Sequence, residues 1–272
     1  IAAFGAENVM RVGMIGTGAI GRYVQHELQR LGFEVSALLV RSEREAELAR
    51  EFKDLHVVSA VRDLPSDLDH VVDCAGHTAL AAHGPDILRR GVDLITVSIG
   101  ALADGGLQAA LEAAATAGDA RLLLASGAVG ALDCLRAAGI GTLQSVTYTG
   151  RKPPAGWRGS PAEDMLDLEQ LSTEAETHFE GSAREAAIRY PKNANVAAAV
   201  ALAGLGFDDT RVQLIADPTV DQNIHQIAAA GEFGDFAFEI RGHALPGNPR
   251  SSALAAMSAV SVLEQERRRI RF

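Results

Sequence analysis

The feature that most constrains this chain is a glycine-rich turn between an apolar strand and a helix. Gly16, Gly18 and Gly21 form a G-x-G-x-x-G pattern that directly follows the apolar run 11–15 and opens a helical segment. Such glycines permit a tight turn, a close approach of the backbone to a pyrophosphate and close helix–strand packing. The free N–H groups at the helix start then bind phosphate. A plain tight turn is the alternative. We predict a dinucleotide site at Gly16, Gly18, Ala19, Ile20 and Gly21.

The pattern after this turn alternates strands with helices. Strands are predicted at 11–15, 34–40, 70–73, 92–97 and 121–125, and helices at 19–31, 42–52, 78–90 and 104–117. Ser42 is predicted to cap its helix, because Glu45 completes a capping-box pattern. Alternation of this kind implies crossover connections and a parallel sheet. The prediction is an α/β chain whose residues 8–130 form a doubly wound, Rossmann-type dinucleotide-binding domain.

The pattern changes after about residue 140. Residues 144–150 alternate like a strand with one exposed face, and strand-like runs follow at 211–216, 223–229 and 236–241; helices are predicted at 160–189, 193–205 and 251–268. Short turns with Gly or Asp favour an antiparallel sheet. We predict a smaller α+β domain over 131–250 with a mostly antiparallel sheet, and a C-terminal helix in 251–272 that packs back on the first domain.

Charge and composition exclude several classes of protein. Lys and Arg total 25 against 35 Asp and Glu, a net charge of -10, which argues against a nucleic-acid or anionic-membrane partner. Cys74 and Cys134 lie in separate apolar stretches, which suits a reducing compartment. The sequence has no apolar run of about 18 residues and no signal-peptide pattern. We therefore predict a cytoplasmic protein with a small-molecule partner.

The second predicted strand bears on the cofactor. NAD enzymes usually carry an acidic residue about 20 positions beyond the glycines, but here the strand ends in Val40-Arg41-Ser42. Arg41 and Ser42 can bind the 2′-phosphate of NADP; stacking of Arg41 on adenine, or its simple solvation, is the alternative. NAD or NADP is the predicted cofactor. The small residues Cys74, Ala75 and Gly76 let it cross the strand ends, and Cys74 with His77 alone predicts no metal site.

A histidine in the second half is the candidate for proton transfer. Asn223 and His225 share one face of a predicted strand. Histidine titrates near neutrality, so it can move a proton during amine or carbonyl chemistry. A surface or hydrogen-bonded structural histidine is the alternative.

The sequence resembles the L-aspartate dehydrogenase family from Arg11 to about Val262. Besides the glycine turn, the resemblance is carried by residues 73–77, 97–101, 126–130, 149–153, 190–196, 215–218, 223–225 and 248–252. It implies oxidation of L-aspartate to iminoaspartate with NAD or NADP, and the reverse reductive amination. The imine then hydrolyses to oxaloacetate and ammonia or feeds quinolinate synthesis. The resemblance also implies a homodimer.

The resemblance implies roles for particular residues. The catalytic histidine falls on His225, a general base whose neutral form is needed, so activity should rise with pH through its pKa. The nicotinamide-side contacts fall on Ala128 and Asn195. Asn248-Pro249-Arg250 stands where the family has Asn-Pro-Lys; Arg keeps the charge but changes the geometry.

A dicarboxylate needs cationic or N–H partners, which the second half supplies. The candidates are Arg151, Lys152, Asn193, Asn223, Asn248, Ser251 and Ser252. A helix N-terminus after residue 252 favours a carboxylate. The alternatives are a solvated Arg151–Lys152 pair and helix capping by the asparagines, for which Asn193 is better placed than Asn195.

Two other functions are compatible with the glycine turn. A reductase resembling dihydrodipicolinate reductase or homoserine dehydrogenase would keep it, but would not predict Asn223-x-His225 together with Asn193-x-Asn195. A non-catalytic NAD(P)-binding sensor would bind the cofactor without turnover.

Overall fold

The computed structural model describes residues 9–191, 193–245 and 248–271, with the backbone alone at 248–250. These residues divide into two compact units. Of the described residues, the first unit contains those within 9–98, 109–125 and 259–271, and the second those within 99–108 and 126–258. The prediction that each domain is one continuous stretch of sequence, with boundaries at residues 130 and 250, stays a prediction.

The first unit contains a six-stranded parallel sheet, which confirms the predicted doubly wound class. Its strands are β1 (Arg11–Ile15), β2 (Glu34–Leu39), β3 (His56–Val58), β4 (His70–Asp73), β5 (Asp93–Thr96) and β6 (Leu122–Leu124), in the order β3-β2-β1-β4-β5-β6. Val12, Met14, Val72 and Ile95 are buried, as expected for strands that are covered on both faces.

The second unit contains a five-stranded sheet of order β11-β10-β7-β9-β8. Its strands are β7 (Leu143–Lys152), β8 (Glu176–Ser182), β9 (Arg211–Ala216), β10 (Asn223–Gly231) and β11 (Gly234–Gly242), with a separate ribbon of β12 (Ala244–Leu245) and β13 (Asn248–Ser252). β7 and β9 are parallel, and the other pairs are antiparallel. The predicted mostly antiparallel sheet is confirmed.

The helices follow the crossovers expected from the sequence. They are α1 (Ala19–Arg30), α2 (Ser42–Glu51), α3 (His77–Arg89), α4 (Gly105–Gly118), α5 (Leu132–Ala138), α6 (Ala183–Arg189), α7 (Asn195–Ala203), α8 (Gly206–Asp209) and α9 (Ala253–Arg267). The capping role predicted for Ser42 is wrong, because Arg41 occupies the N-cap without a side-chain bond. A capping box is present at Ser182 and Glu185 of α6 instead. Among the described residues, no helix is both long and apolar enough to cross a membrane.

The long helix predicted over 160–189 is wrong in most of its length. Residues 161–164 form a short 3-10 turn, and residues 176–182 form the edge strand β8. His178 and Phe179 are buried there, while Glu176 and Glu180 are exposed. Pairing with β9 therefore overrides the local helical preference of this acidic segment.

The last helix contributes to the first unit through residues from Ala259 onward. Arg267 donates to the carbonyl of Leu31, and its guanidinium lies 4.4 Å from the ring centroid of Phe33. Arg121 joins the carboxylates of Asp93 and Glu266. These contacts hold the second half of α9 against β5 and against the connection between α1 and β2.

Candidate functional site

The glycine turn uses each glycine differently. Gly16 has φ +90°, a conformation that favours glycine, and a Cβ there would lie 2.8 Å from the Cβ of Ala75. A Cβ on Gly21 would lie 2.4 Å from the carbonyl oxygen of Gly16. A Cβ on Gly18 would have no neighbour within 4 Å. Gly16 and Gly21 are therefore required by the fold, whereas Gly18 leaves open space at the start of α1.

A cavity of about 680 Å³ lies beside this turn in the first unit. It is lined by Gly16, Thr17, Gly18, Cys74, Ala75 and Arg41, among others. The volume is typical of small-molecule sites, and the cavity lies at the carboxyl ends of β1, β2 and β4, where doubly wound sheets bind their ligands. Gly76 follows at the N-cap of α3 with φ +102°. These observations fit a dinucleotide held against the start of α1.

Two arginines line this cavity. Arg41 follows the end of β2, and Arg44 lies in the first turn of α2. Arg41 approaches Glu43 to 3.5 Å, and Arg44 pairs with Glu47 at 2.9 Å. Arg44 was not predicted from the sequence, although it follows Arg41 by only three residues and so lies near the end of the same strand. Together they place positive charge at the end of β2, where NAD enzymes usually have an acidic residue that binds the ribose hydroxyl.

A buried carboxylate fixes the loops at the ends of β4 and β5. Asp73 accepts hydrogen bonds from the hydroxyls of Thr96 (2.8 Å) and Ser98 (2.7 Å) and from the N–H of Ala75 (2.9 Å). Burial raises the pKa of Asp73, and these bonds act in the opposite direction. Asp73 was not predicted from the sequence as a site residue. Its role is to hold Ala75, which lines the cavity.

His225 lies in the second unit on β10, which pairs with β7 on one side and β11 on the other. It is 4% exposed, and its Nδ1 lies 2.8 Å from the hydroxyl of Tyr148. Gly150 is the residue opposite His225 on β7, and a Cβ there would lie 2.7 Å from the same hydroxyl. Gly150 therefore makes room for Tyr148 to reach the imidazole. A hydroxyl can donate or accept, so this bond orients the ring in either tautomer.

The structure separates the predicted basic pair of Arg151 and Lys152. Arg151 Nη1 lies 2.5 Å from Oδ2 of Asp217, so its charge is offset. Lys152 is 5% exposed; its Nζ donates to Oδ1 of Asn193 (3.4 Å) and lies 4.8 Å from the ring centroid of Trp157. The solvated-pair alternative is therefore contradicted for Lys152.

Burial sets the protonation of this cluster. It lowers the pKa of Lys152 to about 8. The pKa of His225 is lowered to about 3, first by burial and second by the charge of Lys152. At neutral pH the cluster therefore presents a largely cationic lysine and a neutral imidazole.

The other predicted residues are distributed around the second unit. Asn195 opens α7 and its Oδ1 accepts from the N–H of Gly100 (2.9 Å), while Ala194 is the N-cap, so the capping role considered for Asn193 is wrong. Ala128 is buried. Asn223 and Ser252 are buried, Ser251 is half-buried, and the side chain of Asn248 lies outside the described residues.

Three possible metal ligands meet at the opposite end of the parallel sheet. Ligand atoms of His70, Asp93 and Glu266 lie within 4.8 Å of one another. Arg121 donates to both carboxylates. A guanidinium thus already supplies the positive charge that this acidic pair attracts.

Comparisons with known proteins agree with this architecture. Residues 133–266 match the family described as aspartate dehydrogenase, C-terminal, and residues 12–125 match the NAD binding domain of homoserine dehydrogenase. The L-aspartate dehydrogenase of Ruegeria pomeroyi is 55% identical over 262 residues, which cover 96% of this chain and 94% of the relative. The L-aspartate dehydrogenase of Pseudomonas aeruginosa is 46% identical, and the match covers 94% of this chain and 97% of that relative.

A solved structure extends the likeness to three dimensions. The crystal structure of aspartate dehydrogenase from Thermotoga maritima is 28% identical, with a TM-score of 0.75, and the match covers 97% of this chain and 99% of the other. The resemblance predicted from the motifs is confirmed: this chain belongs to the L-aspartate dehydrogenase family.

Proposed function

We propose that this protein is an NAD(P)-dependent dehydrogenase that oxidises L-aspartate to iminoaspartate and catalyses the reverse reductive amination. The observation that carries the proposal is that the buried Lys152 and the buried His225, which Tyr148 orients, lie on one face of the β7–β10 pair in a chain of this family. A lysine of this kind suits a carboxylate, and a neutral imidazole suits a proton-transfer step. The imine would hydrolyse to oxaloacetate and ammonia or pass to quinolinate synthesis.

The proposed cofactor site is the cavity beside the glycine turn. When bound, the nicotinamide cofactor supplies the acceptor for the hydride that leaves the substrate Cα. The residues proposed to hold the cofactor are Gly16, Gly18, Ala19, Ile20, Gly21, Arg41, Cys74, Ala75, Gly76, Ala128 and Asn195. The open space at Gly18 and the small residues at 74–76 support this assignment.

His225 is proposed as the general base towards the substrate amine or the attacking water. Its imidazole is neutral in the free protein, which is the form that accepts a proton. A substrate carboxylate beside Lys152 would offset the charge that contributes to the lowered pKa of His225. Binding of the substrate would therefore make the base stronger.

The proposal is tested by supplying oxaloacetate and ammonia with NADH and NADPH in parallel, and L-aspartate with NAD and NADP. Loss of reduced-cofactor absorbance is expected only when oxaloacetate and ammonia are both present. Turnover of homoserine or dihydrodipicolinate in place of these substrates would favour the related reductases. Cofactor binding without any turnover would instead favour the sensor.

We further propose that both cofactors are accepted, with Arg41 and Arg44 binding the 2′-phosphate of NADP. The double replacement Arg41→Ala, Arg44→Ala should raise the Kd of NADPH about 10-fold, a modest effect because Arg41 is exposed and Arg44 is only half-buried. The Kd of NADH should stay within about twofold. Arg89→Ala is the matched control, because Arg89 also pairs with an acidic residue three positions away. Equal losses for both cofactors, measured by fluorescence titration, would favour stacking on adenine.

The homodimer and the cytoplasmic location implied at the outset stay predictions.

A further inference from the structure

We infer that Lys152 is the residue that makes the site specific for a dicarboxylate, by binding one carboxylate of the substrate with its buried ammonium. This inference rests on the proposed function and deepens it. It separates Lys152 from Arg151, its neighbour in the sequence, which the sequence pattern alone treats as an equal candidate.

Arg151 and Lys152 differ in whether an opposite charge neutralises them. Buried ammonium groups in proteins are nearly always paired with an opposite charge. Arg151 has Asp217 as its partner. Lys152 is more deeply buried, yet among the residues that the structure describes no carboxylate pairs with it. Its partners are the amide oxygen of Asn193 and the face of Trp157, which stabilise a cation without neutralising it.

The fold fixes the position of the Lys152 ammonium. Trp157 is fully buried, and its Nε1–H donates to the carbonyl of Ile215 (2.9 Å). A Cβ on Gly156 would lie 3.2 Å from the Cβ of Lys152, so the lysine stem passes over a glycine. The side chain is thus held by packing on several sides, as expected for a preorganised binding group.

Lys152 and His225 lie on the same face of the sheet. Gly150 and Lys152 lie on the same face of β7, and His225 is opposite Gly150 on β10. Asn223 is on that face too, two residues before His225 on β10. A carboxylate bound at Lys152 therefore lies on the same face as the imidazole proposed to move the proton.

The titratable groups that interact with Lys152 are His225 on β10 and His178 on β8, and the charge of Lys152 contributes to lowering the pKa of each. Neither is an anion. A carboxylate ligand would raise the pKa of Lys152 from about 8. Binding should therefore take up protons from a solution near pH 8, and it should weaken as the pH rises above 8.

The test uses succinate, a dicarboxylate without the reacting amine, titrated calorimetrically into the NADH-saturated enzyme at pH 8. Buffers of different ionisation enthalpy report the proton uptake, expected to be about half a proton for a group with a pKa near 8. Propionate, a monocarboxylate, should bind at least about 10-fold more weakly than succinate.

Lys152→Met should abolish the proton uptake and weaken the binding of succinate by about 30-fold or more. Lys152→Arg, which keeps the charge, should recover part of the binding.

Two further measurements keep the outcomes distinct. Lys152→Met should raise KM for L-aspartate far more than it lowers kcat, with the Kd of NADH unchanged and the Tm equal to or above that of the wild type, because an unpaired buried charge is lost. Unaltered succinate binding in Lys152→Met, or no proton uptake in the wild type, would overturn the inference. If the wild type fails to oxidise L-aspartate but binds succinate with proton uptake, the proposed function fails and the carboxylate site stands.

Discussion

Replacing His225 with alanine should lower kcat by about 10²-fold or more, the usual scale for a lost acid–base group. The imidazole is buried and held by Tyr148 rather than exposed to solvent, so water cannot readily substitute for it. The affinity for NADH should be unchanged, because His225 is not among the residues proposed to hold the cofactor and the cavity beside the glycine turn is lined by residues of the first unit. Steady-state kinetics and a cofactor titration on the same preparation check both expectations.

Tyr148→Phe is the matched variant for this prediction. It keeps the ring but removes the hydroxyl that bonds Nδ1, so kcat should fall by about 3- to 10-fold, the scale of one neutral hydrogen bond.

Because neutral His225 is required, activity should be lost as the pH falls through the pKa of the His225 imidazole. That pKa is about 3 in the free protein, so its limb in kcat/KM should lie far below neutrality. Near-wild-type turnover in His225→Ala would remove this residue from the mechanism.

Gly21→Ala and Gly18→Ala should fail in different ways, although both glycines belong to one motif. A Cβ on Gly21 would meet the carbonyl oxygen of Gly16 at 2.4 Å, a backbone atom that cannot move without distorting the turn. Overpacking of this kind costs about 1–3 kcal/mol, and for a chain of this size the Tm should fall by about 3–10 °C. Cofactor affinity should fall with it.

Gly18→Ala should leave the Tm of the cofactor-free protein within about 1 °C. Gly18 has φ −68°, which any residue adopts, and the added methyl group would meet nothing within 4 Å. The methyl would instead occupy the space through which a pyrophosphate approaches, so the Kd of NADH should rise by about 10-fold or more. Thermal melts with and without NADH separate the two variants. Unchanged affinity in Gly18→Ala would mean that the pyrophosphate lies elsewhere.

Apolar periodicity was enough to predict the parallel sheet and the runs that became β9, β10 and β11. It failed for β3, which has only three residues, and for the edge strand β8, whose charged residues hide the alternation. These strands depend on their partners in the sheet rather than on their own sequence.

The site was predictable only in part. His225 and Lys152 follow from residue type and from the family motifs. Tyr148 was missed, because its bond to His225 joins residues 77 positions apart and depends on the register of β7 against β10. The alternation along β7 indicates that Arg151 and Lys152 face opposite ways, but the ion pair that separates their roles needs the position of Asp217.

The membership of the last helix in the first unit has a consequence for how the protein is made. Residues 9–98 leave the ribosome well before residues 259–271, and N-terminal segments generally begin to fold first during synthesis. Until residues 259–271 are synthesised, the ring of Phe33 lacks the guanidinium of Arg267, and Arg121 lacks Glu266. The nascent first unit therefore stays incomplete until these residues have been added.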